Sequence, residues 1–156
     1  MPEVAVTVRL KATPEAVWDL LADMEAFPRF MASVESVKVL ERPGPDETLS
    51  EWVCRLQGMR FRWTERDEFA RTEGVIRYRQ VAGDLRRFEG EWQLTPAPGT
   101  GAAETDVRLR TLFDFGLPML SAMLDPVARI ALRKNVEAML RGLEREASRP
   151  EGTNDA

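Results

Sequence analysis

The 156-residue sequence contains no histidine. This excludes Ser-His and Cys-His nucleophile pairs and removes the commonest side-chain ligand of zinc, copper and iron. A single cysteine, Cys54, excludes an internal disulfide and a CxxC metal or redox site. Neither GxGxxG nor GxxxxGKS/T occurs, so no nucleotide phosphate cradle is indicated. No metal and no cofactor is therefore expected. The chain has no apolar run of membrane-spanning length, and Met1-Pro2-Glu3 opens no basic-then-apolar leader. The expectation is a cytoplasmic protein that does not insert into a membrane. A formal net charge of −4 makes nucleic acid a poor partner. Any acid–base chemistry has to come from carboxylates, Arg, Lys, Tyr or an ordered water.

What is present is an ordinary globular composition, 44% hydrophobic and 31% charged, in a length that suits one domain. No repeat, low-complexity tract or linker divides it. Residues 1–147 are read as the domain and 148–156 as a polar, frayed tail. The chain is organised around a long helix, Pro118 to Ala147. Arg129, Arg133, Lys134, Glu137, Arg141 and Glu144 share one side, with Glu137 four residues before Arg141. Ala128, Ala131, Leu132, Ala138, Met139, Gly142 and Leu143 share the other. Pro126 is expected to kink or restart this helix, with Asp125 as N-cap. The middle of the apolar face is small: Ala128, Ala131, Asn135, Ala138 and Gly142. Such a strip means close approach of another backbone or unfilled space, and Asn135 within it needs hydrogen-bond partners if buried.

Before the helix, alternation predicts seven strands. Val4, Val6 and Val8 mark the first. Thr13-Pro14-Glu15 caps a short helix through Ala22, and Asp23 to Met31 reads as a second helical piece with Pro28 at its start. Strands follow at 34–41 and 48–56, separated by Pro43-Gly44-Pro45-Asp46, and Gln57-Gly58 turns the chain back. In 59–69, Phe61, Trp63, Glu65, Asp67 and Phe69 share the inner face, which puts two carboxylates beside aromatic rings. Two pairings with 75–81 are open: one brings Glu65 to Arg79 and Asp67 to Arg77, the other sets Arg66 opposite Arg77. Like charges directly opposed are unfavourable, so the first is expected. In 85–95, Phe88, Gly90, Trp92 and Leu94 face inward, Gly90 marking a bend or space beneath it. In 105–115 the inward set is Val107, Leu109, Thr111, Phe113 and Phe115. Hairpin-linked strands form one antiparallel sheet that must cover its apolar face with the long helix. The expected fold is therefore α+β, a curved seven-stranded antiparallel sheet gripping a C-terminal helix, with two short helices after the first strand.

Asp23-Met24-Glu25-Ala26-Phe27-Pro28, the segment Gly83 to Trp92, and Asn135-Val136-Glu137 together resemble the START-related helix-grip superfamily. Within it the chain is similar to the polyketide cyclase/dehydrase and coenzyme-Q-binding branch, over about Val4 to Glu146. The resemblance implies a cavity for a hydrophobic small molecule such as a quinone, lipid or polyketide. It implies ligand contacts at Phe61, Trp63, Arg79, Trp92 and Asn135, to which the inward strand faces, the second helical piece and the small strip of the helix add Glu65, Thr111, Phe113, Phe27 and Ala131 as candidates. Where cyclases of this group tend to place a Trp and a Tyr, this sequence has Phe27 and Val34.

Three functions follow. The first is a carrier or binding protein, which needs only an apolar cavity with a few orienting polar groups. The second is an aromatase/cyclase acting on a poly-β-ketone, with Glu65 or Asp67 as base and Arg79 holding the oxyanion. The third is a protein-interaction module, for example on ribosomes, using the Arg60, Arg62 and Arg66 row. A monomer or homodimer is expected in each case.

Overall fold

The structure, a computed structural model, describes residues 3–56, 58–114 and 121–149, with backbone alone for 121–128. The features expected at Gln57, Phe115, Pro118 and residues 150–156 lie outside that description. Strand β1 (Glu3–Leu10) leads to helix α1 (Pro14–Ala22) and a 3₁₀ turn over Met24–Arg29. Strands β2 (Val34–Gly44), β3 (Glu47–Leu56), β4 (Met59–Ala70), β5 (Val75–Gly83), β6 (Arg87–Pro96) and β7 (Thr105–Asp114) follow, and α2 (Ser121–Ala147) completes the order. All seven strands join one antiparallel sheet in the order β1-β7-β6-β5-β4-β3-β2. This is the helix-grip arrangement: consecutive strands pair as hairpins, and β7 returns beside β1.

Local signals explain most boundaries. The Thr13 hydroxyl accepts from Ala16 N at 3.2 Å and Pro14 stands at the first helical position, so α1 starts where a cap and a preset φ coincide. Pro28 lies near the end of the 3₁₀ turn, not at its start, and the chain leaves through Phe30. Strand β2 runs to Gly44, which narrows the expected four-residue break to Pro45-Asp46. Gly74 closes the β4–β5 connection with φ +69°, a conformation that favours glycine.

Helix α2 runs unbroken through Pro126, so the chain does not restart there and Asp125 is not an N-cap. Pro126 falls in the second turn, where it removes one backbone bond from a helix of 27 residues. Leu132, Val136, Met139, Leu140 and Leu143 form the buried stripe, with spacings of three and four. Ala138 is exposed, contrary to the expected face. The outward set is as expected, and Arg141 pairs with Glu137 at 3.9 Å.

The pairing of β4 with β5 corrects the expected register. Arg66 lies opposite Arg79, Asp67 opposite Tyr78 and Glu68 opposite Arg77. Tyr78 and Ile76 therefore face inward, while Arg77 and Arg79 are exposed on the outer face. Burial of a Tyr and an Ile outweighs avoidance of one like-charge pair on a solvated face. Around that pair, Arg66 reaches Glu47 at 3.6 Å, and Glu89 lies opposite Arg79 on the next strand.

Candidate functional site

Strands β3 and β4 put their polar inner residues side by side. Thr48 lies opposite Asp67, Ser50 opposite Glu65 and Trp52 opposite Trp63. Thr48 Oγ1 donates to Asp67 Oδ2 at 2.8 Å, and Ser50 Oγ donates to the same oxygen at 2.5 Å. Trp52 Nε1 donates to Ser50 Oγ and Trp63 Nε1 to Glu65 Oε1, both at 2.8 Å. The two indoles stack with centroids 6.0 Å apart and planes 5° from parallel. Each tryptophan is thus fixed by its ring face and by its polar edge.

Glu65 and Asp67, 3% and 0% exposed, follow each other on this face. Asp67 Oδ1 is buried without a hydrogen-bond partner. Burial first, then the hydrogen bond and negative charge of Asp67, hold the Glu65 carboxyl well above the usual carboxylate range; the Trp63 N–H acts in the opposite sense. Glu65 therefore resists ionisation. No arginine or lysine is buried among the described residues.

Above this pair is a cavity of about 50 Å³ between sheet and helix. Strands β3 and β4 line it with Trp52, Cys54, Trp63 and Glu65. Strands β5 to β7 contribute Tyr78, Phe88, Trp92, Leu109 and Thr111, and α2 contributes Leu132, Asn135, Val136 and Met139. A second lobe of about 40 Å³ shares Cys54, Trp63, Phe88, Leu132 and Asn135, and adds Leu56, Phe61, Leu85 and Phe113. Tyr78 reaches the wall because Gly90 lies beneath it. A Cβ at Gly90 would stand 2.6 Å from the Tyr78 hydroxyl oxygen and 2.0 Å from the Arg110 carbonyl oxygen. The phenol hydrogen-bonds Thr111 Oγ1 at 2.6 Å. Burial pushes both the Tyr78 phenol and the Cys54 thiol upward, so neither ionises readily.

The expected site residues divide. Trp63, Glu65, Trp92, Thr111 and Asn135 meet at the first lobe, and Phe61 and Phe113 at the second. Asp67 lies behind Glu65. Phe27 is fully buried but packs against Phe30, Trp52 and Trp92, outside both linings. Ala131 is buried yet lines neither lobe, and among the described side chains of the small strip only Asn135 borders the cavity. Its Gly142 instead makes a close contact: a Cβ there would fall 2.0 Å from the Phe30 carbonyl oxygen. Gly90 likewise marks an occupied position and no void. Arg79 is the main correction. It lies on the outer face among Arg66, Glu68 and Glu89, with the sheet between it and Glu65. The cyclase arrangement that paired Arg79 with a carboxylate is therefore not built here.

Tyr78 is the site residue that sequence reasoning misses. The alternation Ile76, Tyr78 against Arg77, Arg79 carries the signal. Asn135 is half-buried; its Nδ2 donates to Met139 Sδ at 3.6 Å, a weak bond that leaves the amide able to meet a ligand. Among the described residues no three His, Cys, Asp or Glu side chains cluster to hold a metal, and no helix is long and apolar enough to cross a membrane.

A curved antiparallel sheet closed by a C-terminal helix over an aromatic cavity defines the START-like, helix-grip class. Residues 10–140 match the family described as polyketide cyclase/dehydrase and lipid transport, and the chain belongs to it. The solved structure of TTHA0849 from Thermus thermophilus is 31% identical, covers 94% of this chain and 97% of its own, and superposes with a TM-score of 0.85. The Zhui aromatase/cyclase from a Streptomyces species shares the fold at 22% identity, with coverage of 97% and 98% and a TM-score of 0.84. A START superfamily protein from Mycobacterium smegmatis shares it at 18% identity, with coverage of 93% and 96% and a TM-score of 0.79. No curated protein matches significantly.

Proposed function

We propose that this protein binds an apolar, ring-bearing small molecule of the quinone, lipid or polyketide kind between its sheet and α2, as a carrier or binding protein. The observation that carries this reading is the lining itself: five aromatic side chains, with Glu65, Thr111 and Asn135 as the orienting polar groups. The small volume means that such a ligand displaces side chains as it enters. Nile red uptake, followed by its fluorescence and competed with menadione, tests the reading. Asn135→Phe places a ring where the two lobes meet, so it should block uptake while leaving the thermal midpoint nearly unchanged. Unaltered uptake in that variant would move the binding site elsewhere. Mass spectrometry of a solvent extract of the purified protein identifies what it carries.

A second reading, an aromatase/cyclase, draws support from the protonated Glu65 in the cavity and from the fold shared with the Zhui aromatase/cyclase. Glu65 would act as a general acid toward a ketone oxygen. It is the weaker reading because Arg79 faces outward and the chain has no histidine, which leaves no cationic group to hold an enolate. Turnover of a poly-β-ketone analogue, lost in Glu65→Gln, would promote it above the carrier.

A further inference from the structure

The outer face of the sheet carries charges that its own chain does not fully pair. Two rows of side chains cross it from β3 to β1. The first reads Glu47, Glu68, Arg77, Glu91, Arg110 and Ala5, and the second Leu49, Arg66, Arg79, Glu89, Leu112 and Glu3. Within the chain Arg66 meets Glu47, Arg77 meets Glu73 and Glu91, Arg87 meets Glu89, and Arg110 meets Glu3. Glu68 and Arg79 are both exposed, and neither has an ion-pair partner among the described residues. A hollow of about 430 Å³ lies between them, where Tyr78 turns its ring inward and Gly90 has none to offer.

The strand order places β6, β7 and β1 on one side of the β5–β6 boundary and β5, β4 and β3 on the other, with β2 beyond. A two-fold axis along that boundary, in the plane of contact with a second copy, sets β5 on β6, β4 on β7 and β3 on β1. Glu68 then faces Arg110 of the second copy, Arg77 faces Glu91 and Arg79 faces Glu89, each twice by symmetry. Arg66 faces Leu112, Leu49 faces Glu3 and Glu47 faces Ala5, so no charge meets its own sign in either row. An axis running across the strands fails the same test. Along a row it sets each charge against itself, and between the rows it sets Arg77 against Arg79. The ladder therefore selects one arrangement and repels the others.

We propose that two copies of this chain associate through the outer face of the sheet as an isologous dimer, with β5 and β6 over the two-fold axis. The second copy supplies the partners that Glu68 and Arg79 lack. Helix α2 and the cavity stay on the far side of each sheet, so the inference is independent of what the cavity holds. Two rows on six strands cover roughly 400 Å² per copy, about half of what a standard stable interface buries. The dimer is accordingly weak and reversible, and its charged contacts make it sensitive to salt.

Sedimentation velocity from about 10 µM to about 1 mM protein tests this. In low salt the mean mass should rise toward that of a dimer with concentration. The dissociation constant should increase at least about tenfold between roughly 50 and 500 mM NaCl. Glu68→Lys sets a lysine against Arg110, and Arg110→Glu sets a glutamate against Glu68, so each variant alone should be monomeric. Mixed in equal amounts they should associate again, because the introduced lysine faces the introduced glutamate while the native pair meets on the other side of the axis. Arg79→Glu and Glu89→Arg form a second exchange of the same kind, and Arg79→Glu breaks no ion pair of the folded chain. Thermal midpoints verify that each variant folds. A wild-type chain that stays monomeric at about 1 mM in low salt would overturn the proposal. So would a dimer that survives in Glu68→Lys or Arg79→Glu, or folded variants whose mixtures are no heavier than their components.

Discussion

At Glu65 the folded protein keeps a proton that the unfolded chain releases above its ordinary carboxylate pKa, about 4.3. The folded state thus binds more protons than the unfolded state, and stability falls as pH rises from that value until Glu65 ionises in place. The slope from one such proton is about 1.4 kcal/mol per pH unit. Glu35, beside Arg55 and Arg60, and Asp106, beside Arg9, are held below the usual range and act in the opposite sense. Their contribution is present above the ordinary carboxylate pKa and is lost as pH falls through their lowered values. Comparing wild type with Glu65→Gln isolates the interior group. The introduced amide can still accept from Trp63 and carries no titrating proton, so it imitates the protonated acid at every pH. Urea midpoints from pH 5 to 8 should therefore fall more steeply in wild type than in the variant, with the variant the more stable at the upper end. Parallel curves would mean that Glu65 is ionised in the folded protein throughout that range.

The elements are held by close contacts that single residues permit, and α2 shows this best at Gly142. Its Cα hydrogen faces the Phe30 carbonyl, which ends the 3₁₀ turn, and there is no room for a methyl group. Gly142→Ala gains roughly 1 kcal/mol of helix propensity. Forcing the helix off the turn costs more, about 1–3 kcal/mol as overpacking. A net loss of stability should appear in the thermal midpoint, whereas an increase would show that the 3₁₀ turn yields easily. This contact also explains which parts of the molecule are legible in the sequence. Alternation of large and polar side chains locates β3, β4 and β7, and it sets Trp63, Glu65, Thr111 and Phe113 on the inner face. Thr13 and Pro14 locate the start of α1. The face of β5 is harder to read, because a carboxylate–arginine pairing competes with burial of Ile76 and Tyr78. Burial wins, since exposed charges meet water at little cost. The small strip of α2 suggests a cavity roof, but small residues report proximity without saying to what. Gly142 approaches a backbone, Ala138 faces solvent, and the cavity wall is made by Asn135 with the larger Leu132, Val136 and Met139.

Across the whole molecule the two faces of the sheet have different tasks. The outer face carries a ladder of alternating charge, Glu68, Arg77, Glu91 and Arg110, opposite one another on four successive strands. Exposed pairs of this kind add little stability each. The inner face carries the rings, which nearly fill the space under α2 and leave two lobes of about 50 and 40 Å³. Entry of a ligand larger than a head group then depends on a side chain that both lobes share and that the core does not fully enclose. Phe88 meets both conditions: it borders each lobe, is only half-buried, and touches the cavity rings Trp63 and Tyr78. Removing its ring should join the lobes and shorten the path inward. Phe88→Ala should lose about 1–3 kcal/mol of stability, less than the full cost of deleting a completely buried ring. Stopped-flow uptake of Nile red should quicken by about tenfold or more, the change expected when a barrier drops by roughly 1.4 kcal/mol. The affinity should change less than the rate, because the rings of Trp52, Trp63 and Trp92 remain. Uptake at the wild-type rate would place the entrance on another side of the cavity, and Leu132, the helix residue that borders both lobes beside Asn135, would become the side chain to truncate next.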